Sequence, residues 1–516
     1  MARQARQSKA APPARPAEPR WRTWVEVRRA PLSAFSLAPV LLLQLTGGAA
    51  DRQPFDGYTL FTPLHSTSTY LIDMQGAVVH EWKSAWNPGN SVYLLDDGSI
   101  LRCARDGANP TFRGGGEGGR VQRIAWDGEL LWDFPWSDEG RLQHHDVAPM
   151  PNGHVLLISW ERKTEAEALA AGRDPALLGG GELWPDYLVE IEPKGATGGT
   201  VVWEWHAWDH LIQDRDPAKA GFGVVADHPE RIDVNGEQVR EVLDDAAIAD
   251  LAELGYIGGD DDEDPPPQER AGFRGADWLH TNSIDYHPGL DQILLSVRSF
   301  NEIWIIDHAT TTAQAAGRRG DLLYRWGNPQ TWMAGTEDDR RLFVQHDAQW
   351  IDQAPGHVLV FNNGGGRPSG NWSSVDEIVL PLDEAGRYDR GDRPFLPRQA
   401  VWTYRAEEPG SFFASHISGA QRLPNGNTLV CSGGEGRFFE VALDGQVVWA
   451  YRNVYGEEEA SRVRGPGGPG RPLRGRPPGP PPGRRGGGKA VFRATRIPPE
   501  HPGLAALAGA GSREAG

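Results

Sequence analysis

The 516-residue chain has only two cysteines. That excludes a disulfide scaffold and any four-cysteine zinc site. Positive charge is in the minority: 52 Lys and Arg stand against 70 Asp and Glu, a net charge of −18. The molecule as a whole therefore repels nucleic acid and anionic membranes. Helical periodicity is nearly absent. The apolar run Leu32–Leu45 is too short to make a membrane span by itself. Glycine (64) and proline (41) are plentiful, about a fifth of the residues, which argues against a helical bundle. Tryptophan (20) outnumbers phenylalanine (16) and tyrosine (11), an unusual order. The length suits one large β architecture or two to four domains.

The two ends read as accessory segments. Residues 1–30 are basic and rich in Ala and Pro; the run Leu32–Leu45 and the small residues TGGAA follow. This order matches a secretory signal, so residues 1–50 are expected to direct export to the periplasm or medium, or to tether the chain to a membrane. Arg28-Arg29 adds a weak twin-arginine hint. The low-complexity stretch Arg462–Lys489 (RVRGPGGPGRPLRGRPPGPPPGRRGGGK) cannot bury a core and is expected to be a disordered loop. The acidic run Asp260–Asp264 lacks the ligand spacing of a calcium loop.

Between these ends the chain repeats. One element is a turn followed by a short apolar strand closing on tryptophan, at Trp82, Trp132, Trp203, Trp326, Trp402 and Trp449. A second is an apolar strand entered through a tight polar turn. It occurs as LLDDGSILRC, PMPNGHVLLI, GLDQILLSV, QAPGHVLVF and RLPNGNTLVC, spanning 94–103, 149–158, 289–297, 353–361 and 422–431. Asp-Gly and Asn-Gly between alternating apolar residues are strong hairpin signals, because primed turns need positive φ. The unit is a small antiparallel sheet repeated about six times, and radial repetition of such sheets makes a β-propeller with few open edges. The expected fold is all-β, a six-bladed propeller over 57–455, with one helical insertion at Val242–Leu254. A seven-bladed ring or a long sandwich is the alternative. Six tryptophan copies against five turn copies fit a shared blade, in which a late strand near Ala490–Ile497 pairs with Tyr58–Trp82. Residues 456–489 are then a loop and 490–516 the closing strand and tail.

Four histidines fall in one phase of the repeat. His145 is eight residues before Gly153, His280 eleven before Asp291, His346 ten before Gly356 and His416 ten before Gly426; Asn90 holds the place in the first unit. A single histidine in such a fold is ordinarily a hydrogen-bonded strand or loop residue. Equivalent positions of successive blades surround one axis, so four in phase predict four imidazoles around a central opening. Arg298 lies one strand beyond His280, in the apolar ILLSVRSFNEIWIID. An arginine there needs an anion, or a carboxylate such as Glu302 or Asp285. Four histidines and an arginine suit a sulfate- or phosphate-like group.

These residues resemble the arylsulfate sulfotransferase (arylsulfotransferase, ASST) family. The matching motifs are LQHHDVAPMPNG (142–153), DWLHTNSIDYHP (277–288), SVRSFNEIWIID (296–307) and FVQHDAQWI (343–351). The stretch VFNNGGGRPS (360–369) is similar to the family's Asp-Asn-Gly strand-end motif, with Asn362 where the family has an acidic residue. The resemblance implies a six-bladed propeller that moves a sulfuryl group from an aryl sulfate to a phenol, without a nucleotide sulfate donor and without a cofactor or metal. It implies that a histidine is transiently sulfated, and by motif position that histidine is His346. His145, His280 and Arg298 would support it, and His416, Asn363 and Arg367 would contact substrate. His144 stands beside His145, and the register between them is open. Asp347 is expected to orient a ring or cap a turn. The sequence before Gly57 is expected to leave out the extra N-terminal β-domain that exported members can carry. Cys103 and Cys431 fall in equivalent strands of different blades and read as buried thiols rather than a disulfide.

Two other functions remain open at this stage. Four propeller histidines can bind iron in a metal-dependent oxygenase or hydrolase, although Arg298 would sit unfavourably beside the ion. A propeller can also be a non-catalytic binding module, in which His346 is dispensable. Hydrolysis, with water replacing the phenol, is a variant of the first reading.

Overall fold

A computed structural model describes residues 52–178, 181–237, 276–383, 386–389, 395–456 and 489–507. The leader 1–50, the helix expected at Val242–Leu254, the acidic run and the Gly/Pro/Arg-rich stretch up to residue 488 lie outside the described residues.

The strands form six four-stranded antiparallel sheets arranged in a ring. Blade 2 runs inside to outside as Pro88–Leu94, Ile100–Arg105, Gly119–Ile124 and Leu130–Pro135. The inner strands of blades 3 to 6 are Arg141–Pro149, Thr281–His287, His346–Trp350 and Gly419–Arg422. Blade 1 is shared. Its inner strand is Val491–Ile497, paired with Tyr58–Pro63 in the register Tyr58 to Ile497 and Leu60 to Thr495. The ring therefore closes through the last strand, as the count of six tryptophan elements against five hairpins predicts. Each hairpin element joins an inner strand to its neighbour, and blade 1 has none because its inner strand comes from the far end of the chain.

The tryptophans stitch the rim. All six lie in outer strands or at the same level of the outer strand, and five donate Nε1–H to the next blade. Trp132 reaches Gly198 O (2.8 Å), Trp203 reaches Thr310 Oγ1 (3.1 Å) and Trp326 reaches Pro397 O (2.7 Å). Trp402 reaches Leu443 O (3.0 Å), and Trp449 crosses the closure to Met74 O (2.9 Å). Trp82 instead packs edge-on against Trp126 of blade 2. A large apolar ring with one donor suits a seam that is dry on one side and polar on the other.

Two short helices escape the sequence reading. Glu165–Ala170 starts from a capping box between Thr164 and Glu167, and Thr312–Ala315 from one between Thr311 and Gln314. Both are too short to produce a periodic apolar pattern, so the cap is their only signal. Cys103 and Cys431 are buried free thiols on the second strands of blades 2 and 6, and burial pushes Cys103 up to about 12.

Candidate active site

The start of the inner strand is irregular in blade after blade. Register shifts fall at Pro88/Val92, Gln143/Val147, Thr281/Ser283 and His346/Gln349. Left-handed residues accompany them, among them Asn90 (φ 95°), His145 (φ 53°), His280 (φ 52°) and Asp347 (φ 54°). A bulge turns successive side chains away from strict alternation, and bulges recur beside functional sites for that reason. In blades 3 to 5 the irregularity accompanies a histidine, His145, His280 or His346, and in blade 2 it accompanies Asn90.

The structure brings His145, His280, His346, His416 and Arg298 together. The rings of His145 and His280 meet edge to face with centroids 4.5 Å apart. The Arg298 charge is felt at His145, His346 and His416. Glu302 is taken by Arg325 (2.5 Å), and Asp285 accepts from Trp350 N (2.8 Å). His145 and His346 are fully buried. Burial, and then neighbouring positive groups, press both well below the usual histidine range; for His346 these are Arg298, His280 and His416. His416 is lowered to about 4 by burial and Arg298, and its Nδ1 lies 2.8 Å from Ser415 Oγ.

The partners of His346 fix its tautomer. Asn363 donates its amide hydrogens to Ala414 O (2.8 Å) and Ile417 O (3.0 Å), which leaves Oδ1 as an acceptor. That oxygen is 2.8 Å from His346 Nδ1, and Val344 O is 3.2 Å from the same nitrogen. Two acceptors require the proton on Nδ1. Nε2 therefore carries the lone pair, and it is buried without a hydrogen-bond partner among the described residues. Asn363, expected at the substrate, is consumed by this scaffolding: it is fully buried and holds the ring.

Of the other imidazoles, His280 is backed by a carboxylate and His145 by a second histidine. His280 Nδ1 is 2.5 Å from Asp277 Oδ2, and Trp160 donates to the other oxygen (3.0 Å). Burial alone would raise Asp277, but His280, His144 and Trp160 outweigh it and hold the carboxyl low. His145 faces the cluster, whereas His144 stands behind it. His144 Nδ1 is 2.8 Å from His145 Nδ1, its ring stacks on Trp160, and its Nε2 lies 3.3 Å from Asp186. A proton on His144 Nε2, toward Asp186, makes His144 Nδ1 the acceptor and places the His145 proton on Nδ1. The His145 lone pair then also sits on Nε2.

Arg367 is placed differently from the histidines. It donates to Trp372 O (3.1 Å) and Ser374 Oγ (2.9 Å) and stacks on Trp372 at 3.9 Å. Asp347 caps Ala420 N (2.9 Å) and orients no imidazole; its other oxygen is 2.7 Å from Arg493 Nε. Asn362 donates to Arg341 O (2.8 Å) and Asp376 (3.0 Å).

Several contributors were missed in the sequence. Asp277 carries a signal, Asp-x-x-His within the DWLH motif. Gly116 belongs to the run GGGEGG, where a Cβ would fall 2.1 Å from His145 Cε1. Asp186 has no local signal, because its partners His144 and Thr281 are far away in sequence. Arg493 is an arginine in an apolar strand and carries the same signal as Arg298. Among the described residues, no three His, Cys, Asp or Glu side chains are grouped so as to hold a metal ion.

No curated protein matches the chain. Solved structures resemble it only distantly. A protein of unknown function from Bacteroides caccae has 13% identity and TM-score 0.39 over 77% of this chain and 93% of its own. Streptogramin B lyase has 10% identity and TM-score 0.35 over 78% and 84%. The hydrazine synthase of Kuenenia stuttgartiensis has 9% identity and TM-score 0.34 over 73% and 71%. The family model for Arylsulfotransferase (ASST) matches residues 64–447, which span blades 2 to 5, two strands of blade 1 and most of blade 6, together with all four in-phase histidines and Arg298. The chain belongs to the arylsulfotransferase family, whose activity is in general the transfer of sulfuryl groups on aryl substrates.

Proposed function

We propose that the protein transfers a sulfuryl group from an aryl sulfate to a phenol through a sulfated His346, with no nucleotide sulfate donor. The observation that carries this reading is the buried, neutral His346 with its proton held on Nδ1 by Asn363 and its Nε2 lone pair directed away from that anchor. In the first half-reaction Nε2 bonds to sulfur, the aryl S–O bond breaks, and the aryl oxide leaves with a proton from a neighbouring imidazole, which the acceptor phenol restores in the second. In the second, the acceptor phenol oxygen bonds to sulfur, the N–S bond breaks, and the electron pair returns to Nε2. The phenol proton passes to a neighbouring imidazole, with His280 backed by Asp277 the best placed. Arg298 receives charge on the sulfuryl oxygens, and one such preorganised donor is worth ~3 kcal/mol in a site shielded from water. Imidazole is both a competent nucleophile near neutral pH and a good leaving group.

The test is nitrophenol release from 4-nitrophenyl sulfate by the full chain, with and without phenol and with no nucleotide sulfate, beside His346→Ala. Release that depends on phenol and disappears in the variant is expected. Release indifferent to phenol makes the protein a sulfatase. No release, with a stoichiometric metal in the purified protein, replaces this reading with the metalloenzyme one. The same reading expects residues 1–50 to carry the chain out of the cytoplasm, which fractionation of expressing cells tests.

A further inference from the structure

Three buried charged side chains next to the site play no part in the chemistry above. Arg493 comes from the closing inner strand of blade 1. Its Nη1 donates to Tyr93 OH of blade 2 (2.8 Å) and its Nη2 to Asp146 Oδ2 of blade 3 (3.0 Å). Its Nε lies 2.7 Å from Asp347 Oδ1 of blade 5. The two carboxylates extend the network to the remaining blades. Asp146 Oδ2 accepts from Ile284 N of blade 4 (3.3 Å), and Asp347 Oδ2 from Ala420 N of blade 6 (2.9 Å). The guanidinium and its two carboxylates together thus link the inner strands of all six blades. Arg493 is 9% exposed, Asp146 is fully buried and Asp347 is 1% exposed. Burial opposes the charge on Arg493, but Asp146 and Asp347 outweigh it and keep the group protonated.

Both carboxylates are the residues immediately after site histidines, in His145-Asp146 and His346-Asp347. Left-handed backbone at His145 and Asp347 sends the two side chains of each pair to different partners. The histidine goes to the imidazole cluster and the aspartate to Arg493. Asp347 packs closely on Gly419, where a Cβ would come within 2.1 Å of its carboxylate. Each aspartate shares its backbone with the adjacent histidine, so holding the carboxylate on Arg493 restrains the segment that carries that histidine.

We infer that Arg493 is a positioning residue that sets the separation of His145 and His346 across the axis, and that the catalytic geometry is complete only when the last strand is in place. The catalytic consequence rests on the proposed sulfuryl transfer; the positioning itself does not. Misplacing a reacting group by about 1 Å can cost roughly 100-fold in rate.

The experiment compares the full-length wild type with Arg493→Met, Arg493→Lys and Arg496→Met. Arg496 is the control. It is another buried arginine of the same strand, bound to Phe55 O (2.5 Å) and Thr59 Oγ1 (3.1 Å), with Glu440 at 3.5 Å. Two readouts are taken: kcat and KM for 4-nitrophenyl sulfate with phenol, and the rate at which diethyl pyrocarbonate modifies His346, followed by peptide mass. Arg493→Met is expected to lower kcat roughly 100-fold with KM held within about threefold, and to change the modification rate at His346. Arg493→Lys is expected to recover about tenfold of that loss, and Arg496→Met to keep kcat within about twofold although its Tm falls. A folded Arg493→Met with wild-type kcat overturns the inference, as does an equal kcat loss in Arg496→Met. If Arg493→Met does not fold, Arg493→Lys decides, and an unchanged kcat sinks the idea. If the wild type itself transfers no sulfuryl group, the reaction reading fails. The modification rate at His346 then decides alone, and equal rates in wild type and Arg493→Met overturn the positioning role.

Discussion

Asn363 offers the sharpest test of how His346 is prepared. Its side chain does three things at once: it accepts from His346 Nδ1 and donates to Ala414 O and Ile417 O. Asn363→Leu keeps the volume and removes all three. Two buried carbonyls lose their donor, at about 1–3 kcal/mol each, so Tm falls. The chemical effect has separate bounds. An orienting partner whose loss leaves the wrong tautomer costs about 10⁴-fold in the best-studied triad. Here Val344 O remains 3.2 Å from Nδ1 and still favours the proton there. The loss is then nearer that of one hydrogen bond plus ring freedom, roughly 10- to 100-fold. Asn363→Asp is expected to do worse than its conservatism suggests. A carboxylate cannot donate, and it would face two carbonyl oxygens where the amide now donates. Any charge it keeps raises the His346 pKa and protonates the nucleophile. The assay is the pre-steady-state burst of nitrophenol without acceptor, which reads the first half-reaction alone. In the wild type the burst rate is expected to be flat from about pH 6 to 8, because His346 is held well below its ordinary value near 6.5. Asn363→Asp is expected to introduce an acid limb inside that range. A wild-type burst that titrates near 6.5, or an Asn363→Asp burst equal to wild type, would refute the assignment.

Three further outcomes follow from named contacts. Gly116→Ala would put a Cβ 2.1 Å from His145 and is expected to cost roughly 100-fold in kcat with the fold retained, measured by steady-state kinetics beside circular dichroism; full activity would show that His145 is mobile enough to be irrelevant. Asp277→Asn leaves an acceptor for His280 but removes the charge that favours a protonated ring, so transfer is expected to fall roughly 10- to 100-fold for weakly acidic phenols and less for strongly acidic ones; a loss equal for all acceptors would remove His280 from proton transfer. Asp285 is raised by burial from 3.8 to about 7, so its proton is held more tightly in the folded state than in the unfolded chain. Its stabilising contribution is full below about pH 4 and is lost as pH rises through about 7. Each pH unit is worth about 1.4 kcal/mol, a total of about 4 kcal/mol, and an unpaired amide in Asp285→Asn returns about 2 of it. Asp285→Asn is therefore expected to raise Tm at about pH 8 and not near pH 4; a shift independent of pH would contradict the assigned titration.

The blades were legible because their signals are local. Asp-Gly and Asn-Gly turns and the strand-ending tryptophans each need only about ten residues to be read, and their counts differ by one for a topological reason, the shared blade. Phase was legible for the same reason. In a ring of repeats, position within the unit maps to distance from the axis, so His145, His280, His346 and His416 could be placed at one opening without any knowledge of the packing between blades. The helices at Glu165–Ala170 and Thr312–Ala315 were not legible, since one turn of helix leaves no period, only a cap.

What decides the chemistry crosses between blades, and there the one-dimensional pattern stops helping. Asn363 was expected at the substrate, in a stretch similar to the family's Asp-Asn-Gly strand-end motif. Its role depends on two carbonyls that the sequence places about fifty residues away, and those carbonyls decide that an amide is required there. Asp186 meets His144 across more than forty residues, and Arg493 meets Asp146 across 347. The one transferable signal was an arginine in an apolar strand. At Arg298 it pointed to an anion or a carboxylate, and at Arg493 the same reasoning leads to the axis. A buried guanidinium must find negative charge. In this ring Glu302 is committed to Arg325 and Arg493 is matched by two aspartates, while the Arg298 charge is felt at His145, His346 and His416. Under the proposed reaction Arg493 would hold the frame, and the positive potential of Arg298 is what a sulfuryl group entering beside His346 would meet.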